Sequence, residues 1–323
     1  MTTLAVVICT FRREELLAKA LASLTVQTVP EGLCVEVIVV DNSDEGSAAG
    51  VVARAAAGSP LPMRRIEAHP ANISVARNAG VAATTAEFVA FLDDDQQTDP
   101  GWLAAVGTAL GRLPHDAYFG AVEPEFEAPQ AATPAVWQLF SRRLDAPSGQ
   151  DLVAMGPLKT RGIALATNNS IFRRSAMLIG PEPFDLSFGN GGGEDYDLIC
   201  RMQQRGSRLA WLPEARAREF VPAARCEAGY LRRRFYAGGQ AFAAAVANAS
   251  AAPGRTRWLV RLKALVQAGL LTLRLPLVLV RGGAGLADYA YSWAGVLGKL
   301  SFGGIHPIYR AADKPAPAAS SAL

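Results

Sequence analysis

Three short, almost wholly apolar runs, at residues 4–9, 35–40 and 88–92, each stop at a polar side chain: Thr10, Asp41, and the triplet Asp93, Asp94, Asp95. Runs of this length that do not alternate suit strands covered on both faces, as in parallel sheets. Between the first two, Leu16, Leu17, Ala20, Leu21 and Leu24 recur at helical spacing. Residues 46–57 and 73–84 also read as helices, and 63–68 as a short strand. A helix near 100–111 and a strand near 117–122 extend the series. Strands alternating with helices predict an α/β chain with a doubly wound, mostly parallel sheet. Ligands of such sheets bind beyond the carboxyl ends of the strands. Thr10, Asp41 and the aspartate triplet should therefore converge.

Regularity fades over residues 123–162, which read as a long, variable connection, and returns at 164–172. A helix opens at Gly193-Glu194, a strand covers 208–212, and from Glu227 to about residue 302 the pattern is helical. The Pro- and Ala-rich residues 311–323 read as a disordered tail. The chain thus divides into 1–225, 226–310 and that tail. At 50% hydrophobic and 19% charged, its 323 residues are too apolar for a disordered chain. The overall charge of +3 hides an asymmetry: residues 1–200 carry 14 basic and 24 acidic side chains, residues 201–323 carry 18 and 5. A basic back half is expected to face something anionic. Cys9, Cys34, Cys200 and Cys226 show no metal-ligand spacing and are expected to be buried, reduced thiols of a cytosolic protein.

Three adjacent carboxylates at a strand end repel one another and ask for a cation. Oxygen ligands suit Mg²⁺ or Mn²⁺. The alternative is a solvated acidic turn. Asp41 can meet a base or ribose, or close an Asx turn with Asn42 and Ser43. Arg77, on a helix preceded by Asn72, can pair with a diphosphate, brace the acids, or lie on the helix surface. The run Gly189-Asn190-Gly191-Gly192-Gly193-Glu194-Asp195 either complements a helix dipole or presents a general base on a roomy loop.

In this order and spacing the segments resemble the family 2 glycosyltransferases of GT-A fold. The resemblance is carried by Val6-Val-Ile-Cys-Thr10-Phe-Arg12, Val37-Ile-Val-Val-Asp41-Asn42, Asn72-Ile-Ser-Val-Ala-Arg77-Asn78 and Phe91-Leu-Asp93-Asp94-Asp95. It continues through Asn168-Asn169-Ser-Ile-Phe-Arg173-Arg174, the Glu194-Asp195 segment and Arg232-Arg233-Arg234. It implies a GT-A nucleotide-diphospho-sugar transferase fold with a C-terminal helical extension. It also implies an inverting, metal-dependent transfer, most commonly from a UDP-sugar, to an acceptor hydroxyl, which the basic, apolar back half would make that of a glycan or lipid-linked acceptor of cell-surface polysaccharide. Thr10, Arg12, Asp41, Arg77, Asp93 and Asp94 would then line the donor pocket, and Asn168 and Asn169 would face the sugar or acceptor. Asp95 and Asp93 would hold Mn²⁺ or Mg²⁺. Asp195, with Glu194 as runner-up, matches the catalytic base. Arg232, Arg233 and Arg234 would meet a pyrophosphate or phosphorylated acceptor, unless they form a solvated helix face. Where many relatives carry a metal-ligating His, this chain offers Glu219, which can ligate the cation or pair with an Arg.

A non-catalytic nucleotide-sugar or lipid-binding protein that keeps the GT-A fold is the alternative function. Nucleic acid is not expected as a partner, because the front half is acidic. The apolar stretch 268–280, interrupted by Arg274 and Pro276, reads as too short and too broken to span a bilayer. With Trp258 and basic flanks it is expected to lie in an anionic membrane surface, as is 286–302, which places the protein at the inner face of the cell membrane. A soluble helical subdomain or dimer surface is the other reading.

Overall fold

The computed structural model describes residues 1–281 and 284–308. The expected tail, residues 311–323, lies outside the described residues. The first half alternates as expected: β1 (Thr2–Thr10), α1 (Glu14–Thr25), β2 (Leu33–Asp41), α2 (Ala49–Ala57), β3 (Met63–Glu67), α3 (Ile73–Ala82) and β4 (Phe88–Asp93). Then follow β5 (Gln96–Thr98), α4 (Trp102–Arg112), β6 (Ala117–Phe126), α5 (Pro134–Phe140), β7 (Asp151–Leu152), β8 (Ser170–Arg173), α6 (Arg174–Met177), α7 (Glu194–Gln204) and β9 (Leu209–Val221). Three helices complete the chain: α8 (Ala228–Asn248), α9 (Pro253–Arg281) and α10 (Ala284–Leu300).

The sheet order is β3-β2-β1-β4-β8-β6-β9-β5, with β7 beside β9. β1 to β4 are mutually parallel, whereas β8, β5 and β7 run against their neighbours. The apolar runs are continuous because both faces are buried. Ala5, Val7, Ile38, Val40, Val89 and Phe91 pack into one core layer, and Leu4, Val6, Ile8, Val37, Val39 and Ala90 into the other. Register then fixes the site: Thr10 stands opposite Asp41, and Cys9 opposite Asp93.

Three expectations change. The connection after residue 122 is more ordered than its composition indicates: β6 runs to Phe126, and α5 and β7 follow. β9 does not stop at residue 212 but continues to Val221, and buried and exposed residues alternate over its second half because only one face is covered there. Cys34 is exposed and Cys9 half-buried; only Cys200 and Cys226 are buried, all four as free thiols.

The C-terminal segment also departs from its reading as a broken stretch. α9 is one helix of 29 residues with Pro276 inside it. Within its Pro253–Val280 portion the most apolar 18-residue window has a mean hydropathy of 1.6 and is only 6% buried, so by length and composition the helix can cross a membrane. α10 packs on α8 at backbone contact: a Cβ on Gly298 would lie 2.0 Å from the Tyr236 carbonyl oxygen.

Candidate active site

The carboxyl ends of β1 and β4 open on one edge, and the acids of the triplet part company there. Thr10 Oγ1 donates to Asp94 Oδ2 at 2.8 Å. Arg13, at the start of α1, reaches Asp94 Oδ1 at 3.0 Å and Asp95 Oδ2 at 3.1 Å. Immediately after the triplet, β5 pairs antiparallel with β9, which sets Gln96 opposite Glu219. Glu219 accepts hydrogen bonds from Asn168 Nδ2 at 3.1 Å and Gln96 Nε2 at 3.3 Å. Arg225 Nη1 lies 3.3 Å from Asp95 Oδ2 and 3.9 Å from Glu219 Oε1.

This cluster is short of positive charge. Burial, opposed by Arg13, pushes the Asp94 carboxyl up to about 6. Burial, and after it the charges of Asp95 and Asp93, pushes Glu219 up to about 8. Asp95 Oδ1 is buried with no hydrogen-bond partner. Among the described residues no group of three or more His, Cys, Asp or Glu closes into a metal-holding arrangement. The donor chemistry nevertheless fits a hard divalent cation: carboxylate oxygens only, one of them orphaned, with excess negative charge around it.

The second wall comes from α3 and α7. The Asn72 side chain accepts from the Ser74 and Val75 backbone N–H groups and caps α3. Arg77, buried on that helix, forms an ion pair with Glu194 and lies 3.8 Å from Asp93. Asn78 exchanges hydrogen bonds with the Phe184 backbone, which ties α3 to the segment leading into the glycine run. Gly193, with φ +98°, turns that run into α7, a conformation in which a side chain would be strained. Glu194 is thereby committed to Arg77, with Oε2 buried and unpartnered. Asp195, half-buried in the first turn, accepts from the Tyr196 backbone N–H at 2.6 Å. It is the acid of this pair that remains without a cationic partner among the described residues.

Several expected residues sit elsewhere. Asp41 is wholly buried and closes its own loop, accepting from Ser43 N and Oγ and from Ala48 N. The Asx-turn alternative is therefore the one observed. Asn169 faces the core rather than a sugar, for reasons developed in the Discussion. Arg12 has a φ of +56° and pairs with Glu45 at 2.6 Å on the outer rim. Arg232 and Arg233 are exposed on α8 and Arg234 is half-buried. Arg225, upstream of α8, reaches Asp95 and Glu219. Sequence reasoning missed Arg13, Gln96, Arg225 and Arg142. Arg142 is buried and donates to the Gly120 and Ala166 carbonyls and to Ser170 Oγ, bracing the segment that presents Asn168. Arg13 had a signal, as the neighbour of Arg12 at a helix start. Arg142 and Arg225 lie in irregular stretches with none.

The family model "Glycosyl transferase family 2" matches residues 5–165. The succinoglycan biosynthesis protein ExoM of Rhizobium meliloti is 33% identical over 240 residues, 72% of each chain. Among solved structures, S. aureus TarS 1–349 in complex with UDP-GlcNAc superposes with a TM-score of 0.55 at 17% identity, covering 80% of this chain and 70% of that one. Another TarS structure is matched over 42% of its length. The mannosyltransferase PcManGT from Pyrobaculum calidifontis, in complex with GDP-Man and Mn²⁺, gives 0.54 at 18% identity over 92% and 86% of the two chains. At such identities the structural matches establish the fold.

Proposed function

The chain belongs to glycosyl transferase family 2 and is a glycosyltransferase of GT-A fold, and from that premise we propose a metal-dependent, inverting transfer from a nucleotide-diphosphate sugar, UDP first, to a hydroxyl of a glycan or lipid-linked acceptor. The observation that carries the reading is the orphaned Oδ1 of Asp95 in a triplet whose Asp93 lies 3.8 Å from Arg77, with Asp195 following Glu194, the partner of Arg77, in the first turn of α7. Residues 1–225 form the transferase unit and those from 226 on the extension.

When bound, Mg²⁺ or Mn²⁺ held by Asp95 with Asp93 and Glu219 supplies charge neutralisation at the diphosphate. Arg77, oriented by Glu194, adds a fixed cation on the same side. Thr10 and Arg13 hold Asp94 in place. Asp195 takes the proton of the acceptor hydroxyl as its oxygen attacks the anomeric carbon. The new C–O bond forms on the face opposite the breaking bond, the nucleoside diphosphate leaves with the electron pair, and the anomeric centre inverts. Asn168, which donates to Glu219, would meet the donor sugar or the acceptor.

The exposed leucines of α9 and the basic back half favour attachment to the inner face of the cell membrane. Relatedness to a succinoglycan biosynthesis protein favours a cell-surface polysaccharide as product. The test is calorimetric titration of UDP, GDP and dTDP into the full chain, with and without Mn²⁺, beside Asp95→Ala. Metal-dependent binding of one nucleotide, lost in the variant, is expected. A folded protein that binds none of the three overturns the proposal.

A further inference from the structure

Beside α7, two lysines converge on one aromatic ring, that of Phe242. Lys159 Nζ stands 4.9 Å from the Tyr196 ring centroid and 5.2 Å from that of Phe242, and donates to Tyr196 Oη at 3.2 Å. Lys299 Nζ stands 5.3 Å from the Phe242 centroid and donates to Gln267 Oε1 at 3.1 Å. The Tyr196 and Phe242 rings stack at 5.8 Å. Among the described residues neither ammonium forms an ion pair. Burial weakens both cations, and the charge of Lys159 weakens Lys299 further. Two ammoniums half-removed from water, repelling one another and lacking a carboxylate, form a site that is incomplete without an anion.

Three placements define the anion. Lys159 also lines a cleft of about 400 Å³ with Gln138, Thr160, Arg161 and Ile163, so the site opens to solvent beside another basic side chain. Tyr196 directly follows Asp195. Gln267 lies on α9 between Val266, 61% exposed, and Leu270, 55% exposed, so the charged site abuts the unburied apolar helix. A ligand that satisfies all three has a charged head, an apolar tail and a reacting end that reaches Asp195. Ammonium groups act as point charges suited to phosphate.

We propose that Lys159 and Lys299 bind the phosphate of a lipid-linked acceptor, a phosphorylated amphiphile whose chain runs along α9. The assignment deepens the acceptor reading above and rests on it.

The test titrates the full chain, in phosphatidylcholine nanodiscs, with geranyl phosphate, geraniol and inorganic phosphate. Geranyl phosphate should bind at least about tenfold more tightly than either of the others. Lys159→Met and Lys299→Met should each weaken it by about tenfold, the value of one hydrogen bond to a charged group. Lys159→Arg should retain it, and UDP binding with Mn²⁺ should stay unchanged in all three variants. Unchanged geranyl phosphate affinity in both Met variants overturns the site. Equal binding of inorganic phosphate overturns the lipid assignment in favour of a free anion. Equal, lysine-dependent capture by vesicles containing phosphatidylglycerol overturns it in favour of a headgroup. Loss of UDP binding in the unmodified chain, with lysine-dependent geranyl phosphate binding intact, counts against the donor reading and not against this site.

Discussion

Asn169 offers the sharpest test of the division between scaffold and site. Its Oδ1 accepts from Trp102 Nε1 at 2.7 Å, and its Nδ2 donates to the Ala121 and Ala215 carbonyls, both at 2.8 Å. Asn169 and Trp102 are wholly buried, and Asn169 holds a φ of +46°. The side chain thereby pins α4, β6 and β9 to the segment that presents Asn168. Asn169→Ala would orphan the indole N–H at ~2 kcal/mol and cost ~1 kcal/mol for the two carbonyls together. An alanine in the left-handed region adds ~1 kcal/mol. The expected loss is about 4 kcal/mol, a large fraction of an ordinary domain's stability, with a fall in melting temperature on the order of 10 °C. Asn169→Gly, which tolerates the backbone, should recover ~1 kcal/mol of it. Urea unfolding followed by fluorescence measures both, and nucleotide titration well below the melting temperature should give a wild-type dissociation constant. An Asn169→Ala protein within ~1 kcal/mol of wild type, or one of normal stability with donor binding lost, would refute the reasoning.

Asp195→Asn should lower transfer by about 10³-fold while leaving UDP affinity intact, as removal of a general base does; near-normal turnover would end that assignment. Glu194→Gln should instead destabilise the fold by ~3 kcal/mol, because Arg77 loses its buried partner, and should raise the donor KM; thermal melts and steady-state kinetics separate the two effects. Glu219, at about 8 in the fold against 4.5 for a free carboxyl, keeps a proton that the unfolded chain releases. The contribution of Glu219 to stability without metal should therefore be greatest below pH 4.5 and decline as pH rises to about 8. Glu219→Gln should flatten that decline, and melting temperatures across the range that run parallel in both proteins would contradict the burial argument.

The elements legible from sequence are those whose burial is symmetric or periodic. β1, β2 and β4 are covered on both faces, so nearly every position had to be apolar, and α1 turns one apolar stripe inward. The aspartate triplet was visible because three like charges at a strand end have few stable settings. The family resemblance favoured Asp195 over Glu194 as the base and set Arg77 near the diphosphate. Pairings made across long sequence separations were not legible. The second half of β9 follows a proline and is half exposed, so nothing local marks it as a strand; only its pairing with β5 carries Glu219 to the triplet. Arg13 and Arg225 acquire their meaning from acids more than eighty residues away. Asn168 and Asn169 are adjacent and chemically alike, yet one points at Glu219 and the other into the core, because a left-handed backbone at Asn169 separates their directions. The sequence by itself determined the parallel half of the sheet, the edge where chemistry gathers and the charges found there, since those follow from local pattern and the avoidance of buried charge. Which side chain of each polar pair faces the ligand, and which holds the scaffold, was decided by tertiary contacts, because a hydrogen-bonding group carries no local sign of the partner that will satisfy it.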